Sequence, residues 1–126
     1  MRRDLLLSVA DLRTRSLILA ELQEVGYEVM AVPGLRYGLK AVLQGLVDPP
    51  AVVLDVHGDA FSTPERVREL MTLLPDVPLI LIVGVYDEAA YGPLREGAAA
   101  FLVRPVTVGE ITEAVRRLLP PPSSRE

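Results

Sequence analysis

The chain contains no cysteine, a single histidine, His57, and a single lysine, Lys40. The first absence excludes disulfides, thiolate nucleophiles and cysteine metal sites. A lone histidine excludes a multi-histidine metal centre within one chain. With Lys40 the only lysine, nearly every basic residue is Arg, which reads as a genomic bias towards GC-rich codons. The net charge is −4 and the basic residues are dispersed, so direct nucleic-acid binding by this segment is not expected. No apolar run approaches the about 18 residues needed to span a bilayer. Leu5-Leu6-Leu7 meets Ser8, Asp11 and Arg13 too soon for a signal peptide's apolar core. A soluble, cytoplasmic protein with no membrane partner is expected. There is no internal repeat, no Gly-rich phosphate fingerprint after the first apolar run, and no catalytic constellation of a known enzyme class, so an enzyme is not expected.

What is present points to one folded domain. The 126 residues are 50% hydrophobic, enough for one core and too apolar for a disordered chain. Apolar runs alternate with amphipathic stretches. Leu5 to Leu7 predicts a first buried strand. Leu12 to Val25 predicts a helix with Leu12, Ile18, Leu22 and Val25 inward, ended by Gly26. Tyr27 to Val32 is a second strand, followed by a Pro33-Gly34 turn. A second helix is predicted over Arg36 to Leu46, with Leu39, Val42, Leu43 and Leu46 inward. After Asp48-Pro49-Pro50, the run Ala51-Val52-Val53-Leu54 has no alternation, as in parallel strands buried on both faces. Thr63 is placed to cap a third helix, with Pro64 in its first turn and Val67, Leu70, Met71 and Leu74 inward. Leu79 to Val83 is a fourth strand. Asp87 to Glu96 predicts a fourth helix weakened by Gly92-Pro93. Ala99 to Val103 is a fifth strand. A last helix runs from Thr107 or Val108 to Leu119, with Ile111, Val115, Leu118 and Leu119 inward.

Five strands alternating with five helices imply an α/β fold, a doubly wound parallel sheet of flavodoxin-like order 2-1-3-4-5. Residues 1–119 form the domain. Residues 120–126, Pro/Ser-rich, read as a tail or linker, with the natural protein expected to continue into a further domain. Chemistry in such sheets sits at the carboxyl ends of the strands. The decisive stretches are therefore Ser8 to Asp11, Asp55 to Asp59, Val83 to Tyr86, and Arg104-Pro105.

Five landmarks now fall in order: Gly26-Tyr27-Glu28-Val29, Val52-Val53-Leu54-Asp55, Val77-Pro78-Leu79-Ile80, Glu96-Gly97-Ala98-Ala99-Ala100-Phe101-Leu102, and Arg104-Pro105. From about Leu5 to Leu119 the sequence resembles the receiver domains of two-component response regulators. The resemblance implies that Asp55 is the candidate phosphoacceptor. It implies two acidic residues after the first strand to hold Mg²⁺, a Thr or Ser after the fourth strand, and a Lys before a proline, usually with a cis bond, after the fifth. An aspartyl-phosphate concentrates negative charge that the metal and the Lys neutralise.

The sequence departs from that pattern at most positions. Counting from Gly26 places Val9 and Ala10 at the acidic pair, with Asp11 adjacent. Counting from Pro78 places Val83 at the hydroxyl switch position. Arg104 replaces the Lys, keeping the charge in a planar fork of different reach, and Pro105 is expected to follow it through a cis bond. Ser8 is expected to point into the sheet. Asp55 alone, or with Asp11, makes a poor Mg²⁺ site, so no cofactor is expected. Asp55 has a second reading as a structural residue that caps a turn and pairs with Arg104. Phe101 stands at the family's aromatic switch position, or is plain core. Tyr86 and Tyr91 read as partner-facing or as ordinary surface. The segment Asp55 to Ala60 is also similar to the Asp-x-His-x-x-Gly motif of cobalamin-binding domains. However, Ala60 replaces the Gly and the segment follows the third strand, so His57 reads as an exposed loop residue.

The expectation is a pseudo-receiver, a regulatory domain acting by protein–protein contact. The resemblance implies a homodimer or partner on the face of the fourth helix, fifth strand and fifth helix. The alternatives are a working receiver phosphorylated on Asp55 by a histidine kinase, and a purely structural domain.

Overall fold

The computed structural model describes residues 3–121. The strands are β1 (Leu5–Val9), β2 (Val29–Val32), β3 (Val52–Asp55), β4 (Leu79–Val83) and β5 (Ala100–Val103). The helices are α1 (Leu12–Val25), α2 (Leu35–Leu43), α3 (Pro64–Leu73), α4 (Glu88–Tyr91) and α5 (Val108–Leu118). All strand pairings are parallel, and the order is β2-β1-β3-β4-β5.

Alternation along each strand splits the apolar side chains between two cores. Leu5, Leu7, Val9, Val53, Ile80 and Ile82 face α1 and α5, where they meet Ile18, Leu22, Ile111 and Val115. Leu6, Val52, Leu54, Leu79, Leu81 and Val83 face the other way, against Leu35 and Leu39 of α2 and Val67 and Leu70 of α3. This double burial is why β3 and β4 are unbroken apolar runs.

Local chemistry sets the helix boundaries. The side chains of Asp11, Thr63 and Thr107 accept from the amides of Thr14, Arg66 and Glu110 and so cap α1, α3 and α5. Gly26 ends α1 with φ 114°, a left-handed conformation that disfavours a side chain. The Tyr27 hydroxyl, buried just beyond it, donates to the Leu119 carbonyl and ties the start of the β2 segment to the end of α5.

Several expectations need correction. Helix α2 ends at Leu43, not Leu46, and Leu43 and Leu46 are 65% and 53% exposed. The α2 pattern continues apolar on its outer side, which periodicity alone reads as core. Leu12 is also exposed, lying in the first turn of α1 above the sheet edge. The fourth helix is one turn of α-helix, and Gly92–Gly97 is a 3-10 segment instead of a continuation. Pro93 lacks the amide a continuing helix would need. Of the 120–126 tail, Pro120 and Pro121 lie outside any helix, and 122–126 fall outside the described residues. No helix among the described residues is long and apolar enough to cross a membrane.

The two α2 leucines give a direct test. Leu39→Ala, at a buried site, is expected to lower unfolding free energy by about 2–5 kcal/mol. Leu43→Ala, on the surface, should stay within about 0.5 kcal/mol of the parent. Urea denaturation of both variants checks this, and equal losses would contradict the placement.

Candidate functional site

Asp55 is the last residue of β3 and is 1% exposed. In register it lies between Val9 of β1 and Ile82 of β4. A carboxylate so placed needs partners, because burying it unpaired is strongly unfavourable. It has two. One oxygen, Oδ1, accepts from the His57 amide at 3.0 Å. The other, Oδ2, accepts from the guanidinium of Arg104. Arg104 follows β5, and its own amide donates to the Val83 carbonyl at 2.8 Å, which fixes the start of its side chain at the strand ends. The Arg104–Pro105 peptide is cis.

The two positions at the end of β1 supply no carboxylate to Asp55. Val9 is 1% exposed and belongs to the α1/α5 core. Ala10 is half-buried. Asp11 is turned to another task, since its Oδ2 accepts from both the amide and the hydroxyl of Thr14, each at 2.8 Å. The Thr14 amide, then the Thr14 hydroxyl, hold the Asp11 carboxyl below the ordinary carboxylate range. Partial desolvation opposes them, and Arg104 and Arg13 add smaller attractions. The Arg15 guanidinium donates to the carbonyls of Val9 and Ala10 at 2.9 and 3.3 Å. Oxygen atoms at this edge therefore serve side-chain cations and a helix cap. Among the described residues no group of three or more His, Asp or Glu side chains is placed to hold a metal ion.

Val83 is fully buried in the α2/α3 core, beside Leu81, and carries no hydroxyl towards Asp55. Phe101 packs on the same core, and the Arg95 guanidinium lies 4.4 Å from its ring centroid. Ser8 is 1% exposed, with its hydroxyl unpaired among the described residues. His57 is exposed. The two tyrosines differ. Tyr86 is 97% exposed, whereas Tyr91 is 7% exposed and not a surface residue. The Tyr91 hydroxyl donates to the Ser62 carbonyl, which draws the ring under the β3–α3 loop.

That loop holds a polar network the sequence reading did not single out, centred on Asp59. Its carboxylate accepts from the Leu35 amide at 2.8 Å, the Phe61 amide at 3.2 Å and the Ser62 hydroxyl at 2.7 Å. It thereby caps α2 from outside the helix, because Gly34 at the N-cap has no side chain to do so. A Cβ on Gly34 would lie 3.1 Å from Asp59 Oδ2, so this approach favours glycine. The only signals in the sequence were an Asp three residues before a Ser and a helix start without a Ser, Thr, Asn or Asp cap.

A scan against family models finds no match, and none of the curated proteins matches. Solved structures do. A response regulator receiver domain protein from Clostridium thermocellum is 21% identical, with TM-score 0.78 over 98% of both chains. The response regulator TrrA from Thermotoga maritima, solved in complex with Mg²⁺-BeF, is 26% identical, with TM-score 0.74 over 94% of this chain and 100% of that one. A protein described as an adenylate cyclase from Rhodopirellula baltica is 16% identical, with TM-score 0.80 over 94% of this chain and 88% of that one. At that identity the likeness is one of fold. The chain has the fold of response regulator receiver domains.

Two measurements probe the loop network. Asp59→Ala strands two amides and a hydroxyl and is expected to destabilise the fold by about 3 kcal/mol in urea denaturation; a loss under about 0.5 kcal/mol would contradict the capping role. Burial, with Asp87, Asp59 and Glu65 nearby, raises the Tyr91 phenol above its ordinary 10.0. A raised folded value favours the neutral phenol. Its stabilisation is present below the unfolded pKa and fades as pH rises through the folded one. Ultraviolet titration should lose a late-ionising component in Tyr91→Phe.

Proposed function

We propose that the chain is a pseudo-receiver, a regulatory domain that works by protein–protein contact without Mg²⁺-dependent phosphorylation of Asp55. The observation that carries this reading is the pairing of buried Asp55 with Val9 on one side and the Arg104 guanidinium on the other. Phosphoryl transfer to a carboxylate needs the incoming negative charge neutralised from several directions. Here one cation is at hand and already engaged, the acidic-pair positions hold Val9 and Ala10, and the hydroxyl position holds Val83. With Val83 apolar, Phe101 has no polar partner there through which a phosphate signal would pull it.

The contact surface we assign is the α4–β5–α5 face, shared with a second copy or a partner protein. Strand β5 is one of the two sheet edges, β2 being the other, and all four of its residues are half-buried. A partly exposed apolar edge strand is a natural pairing surface. An isologous dimer there would close on itself.

Incubation with acetyl phosphate and Mg²⁺, followed by intact-mass measurement, is expected to show no phosphate adduct. A stoichiometric adduct that disappears in Asp55→Asn would overturn the proposal in favour of a working phosphoacceptor served by a histidine kinase. Sedimentation across protein concentration is expected to show a dimer; a monomer throughout would remove the self-association reading.

A further inference from the structure

The fold leaves large apolar side chains exposed on α2, on the turn after it and at the end of α3. They are Tyr37 at 53%, Leu43 at 65%, Leu46 at 53% and Leu73 at 39%. None belongs to the Asp55 edge or to the α4–β5–α5 face. One of them, Leu43, lines an open groove of about 480 Å³ between α2 and α3, together with half-buried Phe61 and the largely covered Leu39. An exposed leucine beside a half-buried aromatic in a groove offers a partner an apolar contact.

The charges at this groove are one-sided. Arg66 stacks over Phe61 at 4.9 Å and pairs with Glu69 at 3.1 Å, so those two charges offset each other. Arg36 and Lys40, one helical turn apart, both line the groove and are exposed. Neither makes an ion pair among the described residues. Two uncompensated cations therefore border the apolar strip in a protein whose net charge is −4. On α2, Arg36 and Lys40 form one i,i+4 row and Leu39 and Leu43 the next.

We propose that the α2–α3 groove is a docking site for an acidic amphipathic helix of a partner protein. The partner's apolar row would cover Leu43 and the exposed part of Phe61, and carboxylates one turn apart on its flank would meet Arg36 and Lys40. Helix-in-groove recognition of this kind reads an apolar row for affinity and flanking charges for orientation. This surface is distinct from the one assigned above, and its test is independent of the phosphorylation assay.

The experiment uses the ¹⁵N-labelled full chain and two synthetic helical peptides. Both carry leucines at i, i+4 and i+7; one is flanked by a Glu row and the other by a Lys row. The acidic peptide is expected to shift amides over residues 36–46, at Phe61 and over 66–73, saturably and less so at high salt. The basic peptide is expected to leave them in place. Lys40→Glu and Leu43→Asp, both at exposed sites, should each weaken binding of the acidic peptide about tenfold while preserving the dispersed spectrum of the folded chain. Three results would overturn the proposal: no shifts at the groove, shifts centred elsewhere, or equal response to both peptides. Concentration-dependent broadening of the groove amides without peptide, relieved by Leu43→Asp, would also overturn it by assigning the groove to a second copy.

Discussion

The strand-end structure depends on how one buried carboxylate is neutralised. Asp55 closes the central strand at a point where its register neighbours, Val9 and Ile82, are apolar. Its side chain is 2% exposed, against 30% for the Arg104 side chain that reaches it. In such surroundings, removing one partner of an ion pair leaves a stranded charge, which is far worse than exchanging both for apolar groups. Arg104 therefore stands as an internal counter-ion. Its planar guanidinium reaches the carboxylate from the end of β5.

The remainder of this edge is closed in the same manner. Asp11 is spent on capping α1, Arg15 on the carbonyls of β1, and Asp59 on joining the β3–α3 loop to the start of α2. The Tyr91 hydroxyl fastens that loop from below. These side chains at the strand ends are engaged in internal bonds. The surfaces that stay available are lateral: the β5 edge, and the α2–α3 groove with its unpaired cations. That distribution suits a domain whose output is contact.

The sheet was legible because its information is one-dimensional. Apolar runs such as Val52-Val53-Leu54 and Leu79-Ile80-Leu81-Ile82-Val83 can be buried on two faces only in a parallel sheet, and the βα alternation then leaves the order found. Asp55 and Arg104 were legible as facing positions at the strand ends, since each directly follows or ends an apolar run. What escaped depended on neighbours distant in sequence. Leu43 and Leu46 fit an inward helical stripe, but the chain turns at Gly45 and no element covers them. Tyr91 resembles a surface tyrosine until the Ser62 carbonyl, 29 residues away, is brought beside it. Asp59 looks like a loop residue, and its role appears only when the Leu35 amide, 24 residues away, is brought 2.8 Å from its carboxylate.

The central claim is that Asp55 and Arg104 act as one unit within the fold. A double-mutant cycle with Asp55→Asn, Arg104→Met and the combined variant, read by urea denaturation, tests it most directly. The account predicts that each single change is strongly destabilising, that the double variant is much less so than their sum, and that the coupling is about 1.5–3 kcal/mol. Additivity within about 0.5 kcal/mol would contradict it, and would make Arg104 a surface residue that only happens to point at Asp55.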